Sequence, residues 1–179
     1  MLEAAGLQCV RQQRTLFTGL GFSLRGGELL RVAGANGSGK TSLLRILCGL
    51  LTPEAGEVRW HGAPIHRLRE EYARQIVYLG HAPAVKDDLT AAENLSIACT
   101  LAGIEAPAQP VHEALARLLL SEGVPLWLLD EPFAALDASA ARHTEELIAR
   151  HVAGGGAVVY TTHQDATIDV KELRVVELG

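Results

Sequence analysis

Lysine is scarce, with three in 179 residues: Lys40, Lys86 and Lys171. Aromatic residues make up 4% of the chain, too few for the stacked-ring platform that single-stranded nucleic acid uses. The three cysteines, Cys9, Cys48 and Cys99, lie far apart with no C-x-x-C pair. That spacing argues against a disulfide frame or a zinc site and predicts inert buried thiols in a reducing compartment. No apolar run approaches the ~20 residues of a membrane-spanning helix. The start, Met1-Leu2-Glu3-Ala4, lacks the basic-then-apolar layout of a secretory signal, so a membrane role is expected to come through a partner. The net charge of −5 argues against a general nucleic-acid or anionic-lipid surface. The charge is uneven: residues 1–60 hold seven basic against four acidic side chains, and 61–179 hold nine against seventeen.

The chain does have the means to fold. Hydrophobic residues reach 48% and charged residues 21%, the range of globular domains, and the length suits one domain. Short apolar runs alternate with helical patterns, which predicts an α/β fold. Strands are expected at Leu7–Val10, Gly21–Leu24, Glu28–Ala33, Glu57–Trp60, Ile76–Leu79, Pro125–Leu129, Ala157–Thr161 and Leu173–Leu178. The runs Leu126-Trp127-Leu128-Leu129 and Ala157-Val158-Val159-Tyr160 are apolar without alternation, as strands of a parallel sheet covered on both faces are. Helices are expected at Lys40–Leu50, Leu68–Gln75, Ala91–Ala102, Val111–Leu120 and Ala138–Val152. The third opens on Thr90-Ala91-Ala92-Glu93, a capping box, and Ile104 to Pro110 is expected to be a loop.

Gly34-Ala35-Asn36-Gly37-Ser38-Gly39-Lys40-Thr41 follows a strand and opens a Leu-rich helix. Glycines there let successive amides curl inward on phosphate oxygens, and the helix N-terminus adds its positive dipole. Lys40 is expected to reach the β- and γ-phosphates, and the Thr41 hydroxyl to bind Mg²⁺. Ninety residues on, a buried strand ends in Asp130-Glu131-Pro132, which places two carboxylates where α/β sheets bind ligands. Asp130 is expected to hold the magnesium and Glu131 to act as general base toward water. The next strand ends in Tyr160-Thr161-Thr162-His163. His163 there can hydrogen-bond a γ-phosphate and orient a carboxylate. A solvated acidic strand end and an ordinary surface histidine are the plain alternatives.

In this order, together with Leu89-Thr90-Ala91-Ala92-Glu93-Asn94-Leu95, these elements resemble the ATP-binding cassette (ABC) family across nearly the whole chain. Tyr78-Leu79-Gly80-His81, Asp130-Glu131-Pro132-Phe133-Ala134-Ala135-Leu136-Asp137 and Tyr160 to Asp165 further resemble the ATP-binding subunits of the haem exporters of cytochrome c biogenesis. The resemblance implies a single phosphate-loop NTPase domain over 1–179. It would have a mostly parallel core, an N-terminal antiparallel β part and a shortened helical subdomain at about 81–121. It also implies ATP and Mg²⁺ as ligands, with Ser42 joining the nucleotide contacts and Asp137 at a contact between two nucleotide-binding subunits. Integral membrane exporter subunits are the implied partners, at the cytoplasmic face of a bacterial inner membrane, and nucleic acid is not among them.

The family's signature, Leu-Ser-Gly-Gly-Gln, is not found between Leu95 and Pro125. The similar Leu120-Ser121-Glu122-Gly123 ends its expected helix instead of opening it, so carbonyls face outward, the wrong polarity for phosphate. An internal deletion is the simplest account. His81 stands where the family carries a coupling glutamine that meets the metal, and Arg11 where an aromatic stacks on adenine. Two functions follow: a subunit whose ATP hydrolysis drives a membrane partner in haem export, or a nucleotide-binding module without turnover that serves assembly or regulation. A DNA-repair cassette would need heptad insertions or basic surfaces, and neither is present.

Overall fold

The computed structural model describes residues 1–80, 123–134, 136–163 and 166–179. The expected helices at Ala91–Ala102 and Val111–Leu120, the Thr90 capping box, the loop from Ile104, His81, Cys99 and the expected helical subdomain lie outside the described residues.

Two β-strands, β1 (Leu2–Arg11) and β2 (Arg14–Leu24), form a hairpin. Gln12 and Gln13 turn it with φ of 48° and 64°, the left-handed pair that a two-residue hairpin loop requires. β3 (Leu29–Gly34) follows and leads into α1 (Lys40–Leu47). Next come β4 (Ala55–Trp60), β5 (Ala63–Pro64), the single turns α2 (Ile65–Leu68) and α3 (Glu70–Ala73), and β6 (Ile76–Leu79). After them lie β7 (Leu126–Asp130), α4 (Ala138–Ala153), β8 (Ala157–Thr161) and β9 (Leu173–Leu178).

One sheet is antiparallel with order β2-β1-β4-β5, and the other has order β6-β7-β8-β3-β9 with every pair parallel. The unalternating strands divide their side chains as expected. Leu126, Leu128, Val159, Leu30 and Val32 join a core with α1 and the antiparallel sheet, through Leu43, Leu44, Ile46, Leu47, Phe22 and Trp60. Trp127, Leu129, Val158 and Tyr160 point the other way, into a second core with Ile148 and Val152 of α4. α1 is thus enclosed between two sheets. Truncating Leu44, which is fully buried, to alanine is worth about 2–5 kcal/mol of stability.

Several element bounds differ from the sequence reading. Of the helix expected at Leu68–Gln75, only the turn α3 forms; α2 ends at Leu68, and Arg69, with φ of 41° and ψ of −108°, separates the two. α1 stops at Leu47, three residues early, where Cys48 and Gly49 close its end. β1 and β2 begin well before their expected starts, β4 begins two residues before its own, and β5 was not expected. β6, β8 and β9 match the expected bounds, and the helix expected at Ala138–Val152 runs one residue longer as α4.

Candidate active site

The strand order β7-β8-β3 places three neighbouring C-terminal ends side by side. The end of β3 carries the expected phosphate loop, Gly34 to Thr41. A Cβ at Gly34, where φ is 141°, would lie 2.4 Å from the Leu178 carbonyl, and one at Gly39, φ 107°, would press on Leu16 and Phe17 at 3.1 Å. Glycine is required at both ends of the loop by space as well as by backbone angle. Lys40 is buried at 8% exposure, and an ammonium taken from water needs acceptors. It finds them by reaching back over its own loop: Nζ donates to the Gly34 carbonyl at 2.8 Å and the Ala35 carbonyl at 3.1 Å. Ala35, Asn36 and Gly37 are exposed, and Thr41 and Ser42 are half-buried in the first turn of α1. The Ser38 hydroxyl oxygen is buried with no hydrogen-bond partner among the described residues.

β7 delivers Asp130 and Glu131. Asp130 is 3% exposed. Its Oδ1 accepts from the Thr161 hydroxyl at 2.7 Å, whereas Oδ2 is buried with no partner among the described residues. Glu131 sits at φ 55°, a left-handed conformation that costs a non-glycine residue on the order of 1–3 kcal/mol. Its N–H donates to the Thr161 oxygen at 2.9 Å. Its carboxylate meets His163 twice: the His163 N–H donates to Oε2 at 3.2 Å, and His163 Nε2 lies 3.3 Å from Oε1. The ring is half exposed and the glutamate mostly covered. The histidine and the general-base candidate are therefore brought together.

Asp137 caps α4, accepting from the N–H groups of Ser139 and Ala140 at 2.9 and 2.8 Å. Arg11 is exposed at the end of β1 opposite Arg14, on the hairpin whose second strand carries the Leu16 and Phe17 that a side chain at Gly39 would meet. Cys9 and Cys48 are free thiols, one buried and one half-buried, and burial pushes both upward from the ordinary thiol range. Thr161 is the residue that sequence reasoning missed. It touches both acids because the parallel register sets it opposite Asp130, and that pairing of distant strands leaves no mark along the chain.

The family described as ABC transporter matches residues 17–124. The chain is 46% identical to the cytochrome c biogenesis ATP-binding export protein CcmA of Aromatoleum aromaticum, over 95% of this chain and 92% of that protein. It is 43% identical to the protein of that name from Dechloromonas aromatica, with 100% of both covered. That second alignment runs over 204 positions against 179 residues here, so about 25 positions of the relative lack a counterpart. Among solved structures, the chain superposes on the dimeric structure of a bacterial ABC transporter cassette with a TM-score of 0.71 at 19% identity, covering 100% of this chain and 95% of that one. The chain belongs to the ABC transporter family. Within that family it is an ATP-binding subunit, similar to the export proteins of cytochrome c biogenesis.

Proposed function

We propose that the chain couples ATP hydrolysis to an integral membrane exporter that moves haem for cytochrome c biogenesis, working as one of two nucleotide-binding subunits. The observation that carries this reading is the convergence of the phosphate loop, Asp130, Glu131 and His163 on three adjacent strand ends. Gly34 to Thr41 and Ser42 bind the nucleotide phosphates, and Arg11 stacks on the base. Glu131 takes a proton from water as general base, with His163 fixing its carboxylate and touching the γ-phosphate. The buried Asp130 Oδ2, left without a partner among the described residues, suits a hard oxygen-seeking cation. Asp130 and Thr41 would hold Mg²⁺, with His81 adding a contact. Bound Mg²⁺ neutralises phosphate charge.

Asp137 lies at the contact between the two subunits. About 25 positions of the Dechloromonas protein lack a counterpart in this chain, in keeping with a deletion. The chain attaches peripherally through its partner subunits at the cytoplasmic face; no described helix is long and apolar enough to cross a membrane. The test is multiple-turnover ATP hydrolysis, alone and with co-purified membrane subunits. Glu131→Gln is expected to lower turnover by roughly 10²- to 10⁴-fold while nucleotide binding persists. Binding by the unaltered chain with no turnover under either condition would favour the non-hydrolysing module.

A further inference from the structure

We infer that Thr161 is the positioning residue for both acids of the site, an inference that rests on the hydrolytic reading above. A hydroxyl has one hydrogen to give and two lone pairs to offer. Thr161 gives its hydrogen to Asp130 Oδ1 and accepts the Glu131 N–H, so one fully buried group holds two consecutive residues with different tasks. On Asp130 it occupies one carboxylate oxygen and leaves Oδ2 as the one on offer. On Glu131 it anchors the amide of a backbone turned to φ 55°. That turn is what presents the carboxylate to the His163 N–H and ring. The two bonds reinforce each other, because an oxygen that accepts a hydrogen bond becomes a better donor through its own O–H.

Valine at 161 would keep the shape and leave Asp130 Oδ1 and the Glu131 N–H both unpaired in a buried place. Serine would keep both bonds. A role confined to filling space would be served by valine at least as well as by serine, so the two substitutions separate positioning from packing.

The test uses the full chain with Thr161→Val, Thr161→Ala and Thr161→Ser, with circular dichroism to establish folding. Two quantities are read: steady-state ATP hydrolysis, and the gain in ATP affinity on adding Mg²⁺ relative to EDTA. Thr161→Val is expected to lower kcat by roughly 10- to 100-fold with KM for ATP changed less than about threefold, and to shrink the Mg²⁺-dependent gain about tenfold. Thr161→Ser is expected to stay within about threefold of the unaltered chain in both. If Thr161→Val does not fold, Thr161→Ala carries the comparison, and if the isolated chain turns over too slowly to measure, the Mg²⁺-dependent gain carries it. The inference is overturned if the hydroxyl-free variants match the unaltered chain, or if serine is as impaired as valine. Absence of any Mg-ATP binding by the unaltered chain would instead remove the functional reading, and this inference with it.

Discussion

Lys40 is anchored by two carbonyls of the loop it serves, which keeps a buried ammonium satisfied and aimed across the loop mouth. A phosphate oxygen is a stronger acceptor than a carbonyl, so the same side chain can exchange one partner for another at little cost. Lys40→Ala is expected to weaken ATP binding by roughly 10- to 100-fold, the worth of a hydrogen bond to a charged group; a fluorescent-nucleotide titration reads it. At this scale the site was largely legible from the sequence. Gly34 to Thr41 is contiguous, and Asp130-Glu131 sits at the end of an unmistakable apolar run. Thr161 and the left-handed turn at Glu131 were not legible, because both arise from the register of β7 against β8.

Elements show a different limit. In β1, β2 and β4 the strand pattern is plain only on the far side of a glycine, Gly6, Gly19 and Gly56, all at positive φ. In β1 the ladder slips between Ala4 and Leu7, so the alternation that marks a strand changes face within one element. The Gly56 backbone then lies so close to Ala5 and Gly6 that a side chain would have no room. Such irregularity breaks the pattern without breaking the strand. The misread helix at Leu68–Gln75 has a similar origin. Its polar sequence satisfied helical spacing, but just one buried side chain lies on each of α2 and α3, Ile65 and Tyr72, too little to hold a continuous helix.

α4 is legible in the sequence, since five residues of its inner face recur at helical spacing and Asp137 supplies its cap. Asp137→Ala is expected to cost about 0.5–2 kcal/mol through loss of that cap, and thermal denaturation should register it as a drop in Tm.

Across the whole molecule, the parallel sheet depends on cover from both sides, and its α4 side includes a titratable group. His151 stacks on Trp127 with ring centroids 3.8 Å apart and planes 8° from parallel, and its Nε2 is buried without a partner among the described residues. Burial pushes this imidazole below its ordinary value of 6.5, against a smaller upward pull from a hydrogen bond to the Pro125 backbone. The unfolded chain therefore takes up the proton first as the pH falls. Stability from the neutral stack is complete above 6.5 and declines as the pH drops toward the folded value. Tm measured from neutral pH downward is expected to fall more steeply for the unaltered chain than for His151→Phe, which keeps an aromatic ring on Trp127 and cannot titrate.

The enclosure of α1 between two layers carries a consequence for residues that never approach a nucleotide. Phe22 and Trp60 belong to the small antiparallel sheet, yet they share one core with the helix that carries Lys40 and Thr41. A defect there loosens the seat of that helix and spoils the alignment of the amides ahead of it. Loss of grip on a triphosphate can thus originate in greasy positions on the opposite side of the helix, with every polar group of the loop intact.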